Sequence, residues 1–266
     1  MSKSTVWRLS EAVGERVLKA EEDLREAVYE QGYLPEPGKR QAKELYVEAD
    51  GVWVRLQGKQ KEKWAEICQG IAYDGWESLQ GRAEAYRLQN KRVYVHGLEK
   101  SSFWEGALLA LYQIWDFDHI GRVVLNGDDA RWIGTGKECF ENVIRQQDGF
   151  HIARCCQRAF EKEDGRALYQ ALGQGKADEV GRLWANARRK EGQSGQRALN
   201  WLERHLNDPE LIDWRLRTEQ SPPQARGLGG MEGNNFHTIA CRMKGKGCSW
   251  SLRGGSENGK GAGIGL

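Results

Sequence analysis

The segment RVVLNGDDARWIG (122–134) constrains the fold of this chain more than any other. Its run VVL is short and nearly continuous in apolar residues, which is typical of a strand buried on both faces in a parallel position. The run ends at Gly127 and is followed by two adjacent acids, Asp128 and Asp129. The segment therefore predicts a buried strand with at least one carboxylate at its carboxyl end.

Three further strands are predicted ahead of this one. From residue 43, apolar and polar side chains alternate as far as Asp50, and the alternation resumes one position out of step after Gly51, which predicts a bulge or a twist just past Asp50. The stretches WAEICQGIAYDGW (64–76) and KRVYVHGLE (91–99) continue the strand pattern. These three strands are expected to form an antiparallel meander.

Helices and one more strand complete the predicted sheet. Ser102 and Glu105 have the spacing of a capping box, which predicts a helix start. GKECFENVI (136–144) reads as a short helix and QQDGFHIAR (146–154) as the region of another strand. The outcome is an open α/β sheet flanked by helices.

The part of the chain that follows has helical periodicity. Val180, Leu183 and Trp184 recur at helical spacing, and a last helix is expected to begin near Met231, with Glu232 on or beside its inward face. The predicted organisation is an N-terminal helical segment (1–42), the first part of the core (43–156), an all-helical insertion (157–224), the final core helix (225–252) and a glycine-rich, disordered tail (253–266).

Composition restricts the environment of the protein. The 266 residues are 39% hydrophobic, enough for a real core, and no stretch has the length of a membrane span or the form of a cleavable signal. The six cysteines contain no C-x-x-C pair, so reduced thiols and a cytoplasmic location are expected. After residue 220 there are six basic and two acidic residues, which is compatible with a polyanionic partner.

Three acids share one description in this predicted fold. Asp50 lies on the first strand, Asp128 ends the fourth, and Glu232 lies on a helix that packs back onto the sheet. If strands one and four are adjacent, the three carboxylates converge and require cations, for which oxygen ligands suit Mg²⁺ or Mn²⁺. The alternative remains that they are solvated turn residues, as acids at strand ends usually are.

Four blocks carry a resemblance to a known family. LYVEADGVWV (45–54), LNGDDARWI (125–133), DGFHIAR (148–154) and GLGGMEGNNFHTIACRMKGKGCSWS (227–251) resemble, in order and spacing, the blocks of the ISLre-group insertion-sequence transposases. The resemblance covers roughly residues 43–252. It implies a ribonuclease H-like mixed sheet, with an antiparallel three-strand meander, parallel strands and an all-helical insertion before the last catalytic helix.

By this resemblance the catalytic and metal-binding residues are Asp50, Asp128 and Glu232, acting with two divalent cations, Mg²⁺ or Mn²⁺. Asp129 stands where the family has a glycine. His151 matches its block and is either an accessory catalytic residue or a structural hydrogen-bonding group, and the same two roles are open for Asp148. Glu48 and Asp74 are interpreted as exposed strand acids outside the site.

The implied activity is metal-dependent cleavage of DNA at the ends of an insertion sequence, followed by strand transfer. The implied partners are element-end and target DNA and further copies of the chain on that DNA, in the cytoplasm at the nucleoid. The tryptophans at helical spacing, including Trp184 and Trp201, are expected in the core more than on DNA. The candidate DNA-binding residues are Arg131, Trp132, Arg188, Arg189, Lys190, Arg242, Lys244 and Lys246.

Departures from the family pattern keep other functions open. Only residues 1–49 precede Asp50, and the end of the chain turns glycine-rich, which is typical of a truncated or frameshifted copy. The alternatives to an active transposase core are an inactive remnant that only binds DNA or partner subunits, and a ribonuclease H-like nuclease.

Overall fold

The computed structural model describes residues 2–58, 62–79, 85–97, 102–245 and 247–263. The strands are β1 (Arg40–Arg55), β2 (Trp64–Tyr73), β3 (Trp76–Ser78), β4 (Tyr86–Leu88), β5 (Arg92–Val95), β6 (Trp115–Gly127) and β7 (Val143–Gln147). The helices are α1 (Lys3–Tyr29), α2 (Phe103–Tyr112), α3 (Arg131–Gly134), α4 (Gly149–Ala159), α5 (Lys162–Gly173), α6 (Ala177–Asn186), α7 (Gln193–His205), α8 (Gly230–Asn235), α9 (Cys241–Met243) and α10 (Leu252–Gly263).

Five of the strands form one mixed sheet in the order β5-β2-β1-β6-β7. β1 is central: it pairs antiparallel with β2 and parallel with β6, while β5 is antiparallel to β2 and β7 is parallel to β6. β3 and β4 form a separate hairpin. The predicted α/β class, the antiparallel meander and the adjacency of the first and fourth predicted strands are confirmed.

The two faces of β1 are covered over different lengths, and this explains the change of parity at Gly51. Leu45 and Ala49 belong to a core shared with α2, whereas Val52 and Val54 pack on the opposite face near the end of the chain. The β1–β2 register runs without interruption through Gly51, so the predicted bulge is wrong. The parity changes because the covered face changes, since residues of alternate position point to opposite faces.

The segment between β6 and the helical region differs from its prediction. α3 lies ahead of the predicted range, the 3-10 turn Thr135–Cys139 overlaps its first part, and its last residues belong to β7, Val143–Gln147. The block DGFHIAR belongs to helix α4 and not to a strand. Asp148 is the N-cap of that helix, and its side chain accepts from the backbone N–H of His151.

The helix predicted at Ser102 is present as α2, but the capping box is not formed. Ser102 occupies the N-cap position without a side-chain capping bond. Its Oγ lies instead 3.0 Å from His96 Nε2, in a chain that continues from His96 Nδ1 to Tyr94 Oη at 2.9 Å. The hydroxyl therefore connects the start of α2 to the edge strand β5.

Helices α4 to α7 have a hydrophobic core of their own. Phe160, Leu168, Leu172 and Leu202 are its most deeply buried large members. The helical character predicted after residue 157 is confirmed at α5 to α7. Among the described residues, no helix combines the length and the apolar character that a membrane crossing requires.

The end of the chain forms a helix, so the disordered tail expected for residues 253–266 is wrong for the described part. α10 packs against α1 so closely that a Cβ on Gly14 would lie 2.0 Å from the carbonyl oxygen of Glu257. Lys260 is buried, pairs with Glu21 and lies over the ring of Tyr94 at 4.1 Å. These tertiary contacts stabilise the helix despite the low helix propensity of glycine.

Candidate metal centre

A rung of buried polar side chains crosses the middle of the sheet. Glu48, Asn126 and Gln146 occupy register-matched positions on β1, β6 and β7. Asn126 Nδ2 donates to Glu48 Oε2 at 3.0 Å, and Gln146 Nε2 donates to Asn126 Oδ1 at 3.4 Å. The rung fixes the three strands relative to one another one step below the carboxyl ends of β6 and β7.

The candidate site lies directly above this rung. Asp50 is two residues beyond Glu48 and points to the same face, while Asp128 follows the last residue of β6. One ligand atom each from Asp50, Asp128 and His151 lies within 4.8 Å of the others. Two carboxylates and an imidazole at this separation can share a single metal ion.

Backbone amides fix one oxygen of each aspartate. The N–H of Gly51 donates to Asp50 Oδ1 at 2.7 Å, and the N–H of Ala130 donates to Asp128 Oδ1 at 2.9 Å. Below the turn, the buried guanidinium of Arg145 donates to the carbonyl of Asp128 at 2.6 Å. These hydrogen bonds therefore hold the turn that carries Asp128 in one position.

His151 is oriented by the carboxylate that caps its helix. Its Nδ1 lies 2.8 Å from Asp148 Oδ2, which leaves Nε2 available for another partner. Asp148 Oδ1 is 3.5 Å from the amide nitrogen of Asn126, so the orienting carboxylate is linked to the rung below. A carboxylate that fixes the ring of a ligating histidine is a common feature of metal sites.

The acids are crowded enough to perturb their titration. Burial, supported by the charges of Asp128 and Asp148, raises the pKa of Asp50 from 3.8 to about 6, although the Gly51 amide and His151 oppose this. The hydrogen bond that His151 donates to the Asp148 carboxylate raises the pKa of His151. For Asp148, burial acts to raise the pKa, but the bonds and charge of His151 prevail and lower it. A divalent cation would relieve this repulsion.

Glu48 is fully buried, so the interpretation of this residue as an exposed strand acid is wrong. Its carboxylate accepts four hydrogen bonds: from Tyr73 Oη at 2.7 Å, from Asn126, and from the N–H groups of Gly229 and Gly230 at 2.9 and 3.2 Å. Burial raises the pKa of Glu48, while the bonds from Tyr73 and Asn126 oppose that rise. Glu48 therefore connects β1 to the beginning of α8.

The two glycines permit this connection. Gly229 has φ +137°, a conformation that side chains rarely adopt, and a Cβ on Gly230 would lie 3.2 Å from Glu48 Oε1. The stretch GLGG (227–230) thus brings its backbone N–H groups into contact with the buried carboxylate of Glu48. It determines where the last core helix begins.

Glu232 lies on α8 as predicted, but its side chain is exposed and is not part of the group formed by Asp50, Asp128 and His151. The expected inward orientation of Glu232 is therefore wrong. Asn235 is the residue of α8 that points inward to the site, since its Nδ2 donates to Asp50 Oδ2. A π-helical turn, Phe236–Ala240, follows directly and shifts the helical phase, so that Ile239 is buried.

Polar atoms without partners surround the carboxylates. Gln69 is fully buried, lies opposite Asp50 in the β1–β2 register, and has no hydrogen-bond partner for either amide atom among the described residues. Asn235 Oδ1 is also buried and has no hydrogen-bond partner among the described residues. Buried polar groups usually find a partner in protein or in ordered water, so these atoms indicate room for a hydrated ligand.

Asp129 contacts the helical insertion. Its Oδ2 accepts from Trp201 Nε1 at 3.1 Å and lies 3.5 Å from His205 Nε2, and the two rings stack at 4.4 Å. This aspartate therefore does not add its charge directly to the candidate site. It connects the turn after β6 to α7.

The candidate DNA-binding residues divide into separate groups. Trp132 is buried against Phe103, so the expectation that its ring contacts DNA is wrong. Arg188 is exposed but paired with Asp164 and Glu163. Lys246 lies outside the described residues. The remaining exposed cations are Arg131, Arg189, Arg242 and Lys244, while Lys190 is half-buried and donates to the carbonyl of Gln157.

The other tryptophans and acids are placed by packing. Trp184 is half-buried against Phe160, as the core interpretation expected. Asp74, interpreted as an exposed strand acid, lies just after β2 and is largely covered; it accepts from Asn90 at 2.8 Å and lies 3.6 Å from Arg40. Neither residue belongs to the candidate site.

Sequence reasoning missed the residues that support the site. Glu48, Asn126 and Asn235 were not assigned a place in it and the role of Asp148 was left open, although two signals were available. The spacing of two between Glu48 and Asp50 puts both on one face of a strand. The D-x-x-H spacing of Asp148 and His151 is that of an N-cap acid and the third residue of a helix.

Comparison with known proteins identifies the family. No curated protein matches the chain. One family model, described as an uncharacterised protein family, UPF0236, matches residues 1–256 and so spans both the sheet and the helical insertion. The chain therefore belongs to the uncharacterised protein family UPF0236.

Proposed function

We propose that this chain is the catalytic core of a DDE-type DNA transposase of the ISLre group, which cleaves and transfers DNA strands with divalent cations. The observation that carries the proposal is the position of Asp50 and Asp128. β1 and β6 are neighbouring parallel strands, and Asp50 and Asp128 each follow the last residue that pairs between them. Both carboxylates lie on the face of the sheet onto which α8 packs.

The strand arrangement supports a ribonuclease H-like fold. An order of β5-β2-β1-β6-β7, in which β1, β2 and β5 form an antiparallel meander and β6 and β7 run parallel to β1, is the arrangement that this fold requires. The helical block α5 to α7 then falls between the sheet and α8, where the proposed fold has its insertion. α8 carries the proposed third acid, Glu232.

The donor set fits a divalent cation. The carboxylates of Asp50 and Asp128 are hard oxygen ligands, and the unpaired amide of Gln69 beside Asp50 can hydrogen-bond to a metal-bound water. Two Mg²⁺ or Mn²⁺ ions in such a site activate an attacking oxygen and stabilise a leaving one in phosphodiester chemistry. Glu232 is exposed one helical turn before Asn235, so completion of the three-acid site requires a change at α8.

Basic residues near the site are suited to the DNA backbone. Arg131 is exposed beside the Asp128 turn, and Arg242 and Lys244 are exposed beyond α8. Contacts of this kind neutralise phosphates and make binding dependent on salt. We propose that element ends and target DNA occupy this face and that copies of the chain assemble on them.

A non-catalytic protein of the same fold is the second candidate. The observation that favours it is the exposure of Glu232, which leaves the described cluster with two of the three proposed acids. Such a protein would bind DNA or partner subunits without cutting. A ribonuclease H-like nuclease is a further alternative that would cleave DNA without transferring strands.

The test is an assay of purified protein with end-labelled duplexes that carry the ends of the element, in Mn²⁺. We expect cleavage that Asp50→Ala, Asp128→Asn and Glu232→Ala each reduce at least about 100-fold, because a lost carboxylate removes a ligand from the reacting centre. Asp118→Asn is the control, since Asp118 is an exposed acid on the same strand as the Asp128 turn but in its other half.

The products separate the candidates. Joining of the freed 3′ end to a second duplex supports transposition, whereas cleavage without joining supports the nuclease. Retarded DNA migration without cleavage in Mg²⁺ or Mn²⁺ supports the non-catalytic protein. Cleavage that persists in both Asp50→Ala and Asp128→Asn would refute the proposed site.

A further inference from the structure

We propose that His151, through Nε2, is the third ligand of a mononuclear cation site with Asp50 and Asp128, which prefers Mn²⁺ to Mg²⁺ and fills while Glu232 remains in solvent. The inference rests on the proposed function only in treating the two aspartates as cation ligands. It differs from the three-acid site in its third ligand and in its metal preference, and it takes no ligand from α8.

The geometry selects His151 over Glu232. Ligand atoms of Asp50, Asp128 and His151 lie within 4.8 Å of one another, a separation that small side-chain movements close onto one ion. Glu232 is exposed and does not belong to this group. The three ligands come from β1, from the turn after β6 and from α4, so none of them is carried by the last core helix.

The ring of His151 has one nitrogen available. Asp148 Oδ2 lies 2.8 Å from Nδ1, so the proton resides on Nδ1 and the lone pair of Nε2 is directed away from Asp148. Asp148 Oδ1 lies 3.5 Å from Nδ2 of Asn126. Asn126 also donates to the buried carboxylate of Glu48. The imidazole is thus oriented by two successive partners.

The identity of the donors determines the metal preference. Mg²⁺ takes oxygen ligands in near-ideal octahedral geometry and retains its waters, whereas imidazole is a good ligand for divalent transition ions. Two carboxylates and one imidazole leave positions open for water. We therefore infer a selective site for Mn²⁺, with Mg²⁺ bound more weakly at the same place.

A second feature indicates a hydrated ligand. The amide of Gln69 is fully buried on the strand opposite Asp50, and neither its oxygen nor its nitrogen has a partner among the described residues. An unsatisfied buried amide is costly unless water or a ligand completes it. Water molecules carried by the cation would supply those hydrogen bonds.

The chain offers a matched control for the histidine. His119 Nδ1 lies 2.7 Å from Asp116 Oδ2 at the same i, i+3 spacing that joins Asp148 to His151, but His119 does not belong to the cluster of possible ligands. His119→Ala therefore removes an imidazole oriented in the same way, without removing a proposed ligand.

The experiment measures metal binding to the full chain after treatment with EDTA, by calorimetry and by Mn²⁺ electron paramagnetic resonance. We expect one Mn²⁺ to bind with a Kd at least about 10-fold lower than that of Mg²⁺ at the same site. The electron spin-echo signal of bound Mn²⁺ should show the modulation of a coordinated nitrogen. His151→Ala and His151→Gln should abolish that modulation and raise the Mn²⁺ Kd about 10- to 100-fold.

The variants give opposed outcomes. Glu232→Gln and His119→Ala should leave the Mn²⁺ Kd within about 2-fold of wild type and retain the nitrogen signal. His151→Gln can still donate to Asp148, so it tests the ligand if His151→Ala fails to fold. Absence of the nitrogen signal in wild type, or loss of Mn²⁺ binding in Glu232→Gln, would overturn the proposal. DNA cleavage without a nitrogen signal refutes only this inference, and nitrogen-ligated Mn²⁺ without cleavage refutes only the proposed function.

Discussion

At the scale of single residues, Asp50 carries the clearest conflict between stability and the proposed activity. Burial and the neighbouring Asp128 and Asp148 raise its pKa from 3.8 to about 6. A carboxyl whose pKa is raised by folding stabilises the protein below its unfolded-state pKa, and that stabilisation is lost as pH rises through about 6. At neutral pH the ionised Asp50 therefore costs folding free energy.

Asp50→Asn should remove this cost. In EDTA we expect the variant to gain little unfolding free energy over wild type near pH 4 and up to about 3 kcal/mol above pH 7, because about two pKa units separate the folded and unfolded states. Asn235 Oδ1 has no hydrogen-bond partner among the described residues, and it can accept a hydrogen bond from the amide introduced at position 50 if the Asn235 side chain flips. Urea unfolding from about pH 4 to pH 8 measures the difference, and a gain that does not change with pH would contradict the assignment.

At the scale of elements, Glu48 connects the central strand β1 to the beginning of α8. Four donors converge on its two oxygens, and two of them are the backbone N–H groups of Gly229 and Gly230. A carboxylate can accept all four bonds. An amide cannot, because its nitrogen would face two of the donors.

Glu48→Gln should therefore loosen α8 from the sheet. We expect a loss of about 2 to 4 kcal/mol in unfolding free energy, since two buried donors lose their acceptor. Amide hydrogen exchange should be faster in residues 228–235, with β7 unaffected. Glu66→Gln is the control, because Glu66 lies on β2 and is partly exposed. Unchanged exchange at α8 in Glu48→Gln would show that the helix is held by other contacts.

The sequence predicted part of this arrangement because part of it is local. A buried strand ending before Asp128 predicted a carboxylate at that end of the sheet, whereas its place beside Asp50 was predicted only on the condition that the two strands are adjacent, as they are in the structure. The position of Glu48 depends on coverage of both faces of β1 by distant elements, which alternation along one strand does not reveal. The orientation of Glu232 depends on the glycine pair and the following π-helical turn, which set the phase of α8.

At the scale of the whole molecule, the described residues form separate hydrophobic cores. The sheet and α2 share one, and α4 to α7 share another around Leu202. The two regions also meet at polar contacts, such as Asp129 with Trp201 and Lys137 with Glu210. Contacts of this exposed kind contribute about 1 kcal/mol or less each. The helices around Leu202 should therefore unfold separately from the sheet, whereas Trp214, after α7, is buried in the core of the sheet and should unfold with it.

Leu202→Ala and Leu125→Ala form a matched pair for this expectation, since both leucines are fully buried, one in each core. Each change should cost about 2 to 5 kcal/mol, but only in the unfolding of its own region. In calorimetric melts, Mn²⁺ should raise the lower of the two transitions, because its proposed ligands come from both regions: Asp50 and Asp128 from the sheet, and His151 from α4, which shares the core around Leu202. The gain should approach about 2.7 kcal/mol at 100 times the Kd and vanish in EDTA. A single transition, shifted equally by both substitutions and by Mn²⁺, would instead mean that the two cores fold as one unit.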